Sequence, residues 1–139
     1  MRELPRQLSV EELVPLFSGH TRLVDELAGR EHPLEIAEKL ALGLAEEDQV
    51  AALATHPRIG EPSEEQRGAE PEVLAELERL NEEYERRFGF SFVVFVNGRT
   101  RAELVPVLRE RLTRTRAEEL ETGLRALCEI ARNRWTRTT

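Results

Sequence analysis

Few side chains in this chain are chemically reactive, and one histidine stands out by its setting. The chain holds three histidines and one cysteine. His56 lies in Thr55-His56-Pro57-Arg58-Ile59-Gly60-Glu61. A free imidazole titrates near about 6.5, which suits proton transfer at neutral pH. Pro57 disfavours helical geometry at the residue before it. His56 is therefore expected where a helix stops and a loop starts, a common place for chemistry. A structural histidine before a proline is the more frequent use of this pair, and the residues alone leave both readings open. His20, at the start of a helix, and His32, before Pro33, read as exposed loop residues.

Three further groups could serve His56. Glu65-Gln66 pairs a charged acceptor with an amide that both donates and accepts, enough to read a ring bearing N–H and C=O groups. The same residues also fit a helix N-terminus, with Ser63 as its cap and Glu64 and Glu65 beside the positive end of the dipole. Arg132 and Arg134, in the last helix, either form a solvated face or supply a planar fork for a carboxylate or ureido oxygen. Phe90-Ser91-Phe92-Val93-Val94 opens an apolar, β-branched run that continues to Val96. It reads as a buried strand by composition, but no second good strand exists to pair with it. An extended segment crossing a helical bundle is the expectation. Asn97-Gly98 then turns the chain.

The rest reads as helical scaffold. Ser9-Val10-Glu11-Glu12 is a capping box, followed by Leu13, Leu16 and Phe17, with Ser18-Gly19 as the stop. A short helix carries Leu23, Val24, Leu27 and Ala28 and ends near Gly29. Pro33 suits a first helical turn, and Ile36, Leu40 and Leu44 follow at spacing four. A break near Ala45 precedes Glu46–Ala54, with Val50, Leu53 and Ala54 expected inward. Pro71 starts a strongly amphipathic helix through Val73, Leu74, Leu77, Leu80, Tyr84 and Phe88, closed by Gly89. Leu104, Val105, Leu108 and Leu112 mark another helix, where Pro106 is acceptable only near the first turn. Thr115-Arg116-Ala117-Glu118 is a capping box. Leu120, Leu124, Leu127, Ala131 and Trp135 form the last stripe, with Cys128 as a small core residue. The fold class is all-α: a single domain over residues 1–139 with about seven or eight helices.

Composition narrows the function classes. The net charge of −7 argues against a nucleic-acid surface. Residues 1–85 hold 8 basic and 21 acidic side chains, whereas residues 86–139 hold 12 and 6. The halves either attract each other, within the fold or across a dimer, or turn C-terminal arginines toward an anionic ligand. No apolar run approaches the ~18 residues of a membrane span, and the charged N-terminal stretch does not read as a signal peptide. A lone cysteine excludes an internal disulfide and fits a cytoplasmic protein. No Cys/His cluster suggests zinc, and no phosphate-binding or dinucleotide glycine pattern appears.

Taken in order, His56-Pro57-Arg58-Ile59-Gly60, Glu65-Gln66 and Leu80-Asn81-x-x-Tyr84-x-x-Arg87-Phe88-Gly89-Phe90-x-Phe92-Val93-Val94 resemble the 2-oxo-4-hydroxy-4-carboxy-5-ureidoimidazoline (OHCU) decarboxylase family over nearly the whole chain. The resemblance implies an all-helical, homodimeric enzyme of urate breakdown that needs no cofactor and no metal. It would release carbon dioxide from OHCU to give (S)-allantoin. It implies His56 as the catalytic histidine, with Pro57 lining the pocket and Glu65 and Gln66 holding the substrate. The backbone of Phe90, Ser91, Phe92, Val93 and Val94 would contact the ring. A family arginine in an Ile-x-x-x-Arg context falls on Arg134, with Arg132 as the fallback. Three departures are visible. The stretch between His56 and Glu65 is shorter than in many members. Ser63 stands two residues before Glu65 rather than three. Ser91 replaces a proline. A helical binding or adaptor module that kept the scaffold without activity is the competing reading.

Overall fold

The computed structural model describes residues 3–57 and 70–137. Among them are seven helices and no strand: α1 (Val10–Phe17), α2 (Arg22–Leu27), α3 (Pro33–Gly43), α4 (Glu46–Ala54), α5 (Pro71–Phe88), α6 (Arg101–Arg111) and α7 (Arg116–Arg137). The longest, α7, packs on α1, α3 and α4, while α5 pairs with α6. Leu124, Leu127, Cys128 and Ala131 of α7 are buried with Leu13, Phe17, Leu34, Ala37 and Leu53 in one core.

Local signals set the helix ends. Ser9 caps α1 through a complete capping box with Glu12, and Ser18 ends it in the left-handed region at φ 63°. Thr100 and Glu103 form a second box at α6, which the sequence reading missed. Thr115 and Glu118 form the expected one before α7. Pro33 and Pro71 occupy first turns, and Gly89 closes α5 at φ 82°. After it, residues 91–96 run as an extended segment without regular structure, as expected.

Three expectations of the pattern are corrected. In α3 the buried row is Leu34, Ala37 and Ala41, while Ile36, Leu40 and Leu44 pack only partly against the core. Two small alanines, fully buried, fill this row, and the large residues lie on its flank. In α4 Leu53 faces inward as expected, but Ala54 is exposed and Val50 half-buried, and Gln49 and Ala52 are buried in their place. The Gln49 amide donates to the Ala41 and Leu42 carbonyls across the α3–α4 break. Pro106 lies at the sixth position of α6, beyond the first turn, and the helix continues through it. The carbonyl it strands belongs to Ala102. Both residues are exposed, so water can satisfy it.

The charge asymmetry is used within the chain. Arg116 pairs with Glu46, Arg125 and Arg132 with Glu38, and Arg109 with Glu76. These pairs are exposed or half-exposed, and each is worth about 1 kcal/mol or less. The buried exception is Glu119. Its carboxylate accepts from Arg111 at 2.6 Å, Arg114 at 3.1 Å and the Tyr84 hydroxyl at 2.7 Å. That cluster fastens the α5–α6 pair to the start of α7.

Candidate functional site

His56 follows the end of α4. Thr55 is the helix cap, and the His56 N–H still donates to the Leu53 carbonyl at 3.3 Å before Pro57 stops the helix. The Thr55 hydroxyl lies 2.9 Å from the Ala52 carbonyl, one turn back, and 3.1 Å from the Phe17 carbonyl at the end of α1. Gly19 makes this approach possible. A Cβ there would stand 2.9 Å from the Thr55 methyl carbon. The ends of α4 and α1 are thus in contact beside His56.

Arg134 of α7 reaches the same place. Its Nη1 donates to the Pro15 and Leu16 carbonyls, each at 3.1 Å, and to the Ser18 hydroxyl at 2.7 Å. Those carbonyls belong to the last turn of α1, where helix geometry supplies no partner and the dipole favours a cation. Arg132 goes elsewhere: it donates to the Leu34 carbonyl and to Glu38 on α3. Of the two candidate arginines, Arg134 is the one brought to His56.

The imidazole is held well below its usual range, at about 4, first by burial and second by the Arg134 cation. It is therefore neutral at pH 7. Its Nε2 atom is buried and has no hydrogen-bond partner among the described residues. A buried polar atom without a partner is costly and uncommon. A neutral imidazole nitrogen of this kind can accept a proton from a ligand or donate a hydrogen bond to it, according to tautomer. His20 and His32 are exposed and face Asp25 and Glu35.

The 90–94 segment is built differently. Phe90, Phe92, Val93 and Val94 are buried, and Ser91 is half-buried. Tyr84 lies 4.6 Å from Phe88, 6.0 Å from Phe90 and 5.1 Å from Phe92, centroid to centroid. The phenylalanines are thus fixed by aromatic packing. Arg111 adds a restraint, donating to the Val93 carbonyl at 3.0 Å and lying 4.6 Å above the Phe92 ring. Pro57 is exposed beside His56. Ser63, Glu65 and Gln66 lie outside the described residues. No group of three or more His, Cys, Asp or Glu side chains that could hold a metal occurs among the described residues. Cys128 is buried, and its thiol is pushed up to about 12 by that burial.

Sequence reasoning missed the contacts that build this junction. Ser18-Gly19 reads only as a helix stop, and Thr55 only as a neighbour of His56. Their partners lie 116 and 38 residues away along the chain, beyond the reach of periodicity.

The sequence pattern of the OHCU decarboxylase family matches residues 2–136. The 2-oxo-4-hydroxy-4-carboxy-5-ureidoimidazoline decarboxylase of Haloferax volcanii is 31% identical, over 81% of this chain and 78% of that protein. The uric acid degradation bifunctional protein PucL of Bacillus subtilis is 33% identical over 63% of this chain, which spans only 20% of that protein's length. A crystal structure of OHCU decarboxylase in the presence of (S)-allantoin has the same fold, with a TM-score of 0.78 at 24% identity over 91% of this chain and 96% of that one. A crystal structure of (S)-allantoin synthase gives 0.72 at 17%, over 92% of this chain and 48% of that one. Match to the family pattern along almost its full length, together with the Haloferax relative, shows that this chain belongs to the OHCU decarboxylase family.

Proposed function

We propose that the protein is a carboxy-lyase that converts OHCU to (S)-allantoin and carbon dioxide in urate breakdown, with His56 as its proton-transfer group and no cofactor. The observation that carries the reading is the buried Nε2 of a neutral His56, without a partner among the described residues and beside the Arg134 cation. An acid-base group awaiting a substrate has this arrangement.

The substrate's name puts a hydroxyl and a carboxylate on one ring carbon, next to the carbon that bears the ureido group. Loss of carbon dioxide breaks the bond between that ring carbon and the carboxylate. The freed electron pair forms a double bond to the ureido-bearing carbon, and the ring carbon–nitrogen double bond takes up the displaced charge on nitrogen. An enol remains. Neutral His56 accepts the enol hydroxyl proton and delivers a proton to the ureido-bearing carbon, leaving a ring carbonyl. Water supplies the proton that neutralises the ring nitrogen. Delivery from one fixed side gives one enantiomer. Arg134 attracts the carboxylate and steadies the developing negative charge. Glu65 and Gln66 orient the ring with Ser63, and the 90–94 backbone and Pro57 bound it.

The reading extends to a homodimer in the cytoplasm, as the family resemblance and the single reduced thiol suggest. Sedimentation tests the first. For the activity, fresh urate-oxidase product is treated with 5-hydroxyisourate hydrolase, and the optical signal of allantoin is followed with and without this protein. Faster decay to one enantiomer is expected. His56→Ala should slow turnover by ~10²–10⁴. A racemic product at the spontaneous rate would leave an adaptor on this scaffold.

A further inference from the structure

The geometry points to Ser18 and Thr55 as positioning residues, whose hydroxyls tie Arg134 and His56 to one anchor, the last turn of α1, and so fix the two side chains relative to each other. The inference deepens the reading of His56 and Arg134 given above and rests on it.

The His56 ring has no hydrogen bond of its own at Nε2 among the described residues. No hydrogen bond at that atom fixes its direction, and its backbone is held through the residue before it. Thr55 bridges α4 to the Phe17 carbonyl of α1. Arg134 arrives from the far end of the chain and is held by the Pro15 and Leu16 carbonyls and the Ser18 hydroxyl, all within four residues of one another. The two groups that must cooperate are thus referred to the same turn of helix.

The order of residues 18 and 19 supports this. Ser18 occupies the left-handed region at φ 63°, where backbone physics alone favours glycine. Gly19 has no positive φ that requires glycine. Glycine therefore stands one position past the site that backbone strain would choose. Both placements follow if the contacts matter. A serine at 18 supplies the oxygen 2.7 Å from Arg134 Nη1. The missing Cβ at 19 gives room for the Thr55 methyl, which it would otherwise meet at 2.9 Å.

Thr55→Val keeps the shape and deletes the donor. Thr55→Ser keeps the donor. Ser18→Gly removes the oxygen while suiting the left-handed backbone, so its fold is not at risk. Each variant is compared with the parent and with His56→Ala by thermal melting, by kcat and KM on freshly generated OHCU, and by NMR titration of the His56 ring. Thr55→Val should lower kcat by ~10–100-fold, since small misplacements of reacting groups cost about that much. Its KM should change less than ~3-fold, and the ring should titrate above its parent midpoint. Thr55→Ser should restore kcat to within ~3-fold of the parent. Ser18→Gly should lower kcat by ~10-fold at unchanged melting behaviour. Parent-like kcat and parent-like titration in both Thr55→Val and Ser18→Gly, with His56→Ala inactive, would overturn the inference and leave the site reading intact. Full turnover by His56→Ala would remove the site reading and this inference with it.

Discussion

Acid should destabilise this protein through His56, by an amount the structure sets. The ring is held at about 4 against an ordinary 6.5, chiefly because burial penalises the imidazolium and secondly because Arg134 repels it. Above pH 6.5 the ring is neutral in both folded and unfolded chains, and it contributes no pH dependence. Between about 6.5 and about 4 the unfolded chain binds a proton that the folded one refuses, so stability falls as pH falls. Below about 4 both states are protonated and the penalty is constant. At ~1.4 kcal/mol per pH unit, the gap amounts to about 3 kcal/mol. That is a substantial part of the ~5–15 kcal/mol that holds a domain together. The assay is urea unfolding of the parent and His56→Gln from pH 7.5 to pH 4. The carboxylates titrate in both proteins and largely cancel in the difference. Relative to the parent, the variant should gain about 3 kcal/mol on going from neutral to acid. A flat difference, or one of the opposite sign, would refute the claim that the imidazole is buried and resists protonation. It would also undermine the proton-acceptor role proposed for it at pH 7.

Four other outcomes follow from the same contacts. Gly19→Ala drives a methyl into Thr55; it should cost ~1–3 kcal/mol in a denaturant melt and lower kcat with it. Arg132→Met removes a half-buried pair with Glu38, so turnover should stay near the parent value, whereas Arg134→Met should lower kcat/KM at least ~10-fold. Glu119→Ala leaves the Arg111 cation buried without its partner and should cost ~3–5 kcal/mol by urea unfolding. Cys128, whose thiol burial pushes up to about 12, should resist alkylation in the native protein and react fully in urea, as mass spectrometry would show.

Most of the helices were legible because they carry their own punctuation. Ser9 and Thr115 cap through bonds made within a few residues, Pro33 and Pro71 suit first turns because they lack an N–H, and Gly89 takes the left-handed region; all of these signals are local. The extended course of residues 91–96 was legible too, because one apolar run without a partner has no sheet to join. Where the pattern misled, size was the reason. Ala37 and Ala41 form the true contact face of α3, yet small residues weigh little in an apolar stripe.

The candidate site divides along the same line. Sequence alone placed His56 just past a helix end, because Pro57 disfavours helical geometry before it, and the motif order brought His56, Glu65, Gln66 and the 90–94 segment under one family. Only the tertiary structure showed that Arg134, and not Arg132, lies beside His56, although the two stand two positions apart on α7. A helix turns about 100° per residue, so one guanidinium lies against α3 and the other meets α1. Likewise, only folding held the imidazole well below its usual range and left its Nε2 without a partner among the described residues. Desolvation and charge proximity depend on what lies around a group in space, and those neighbours come from chain positions that no local pattern connects.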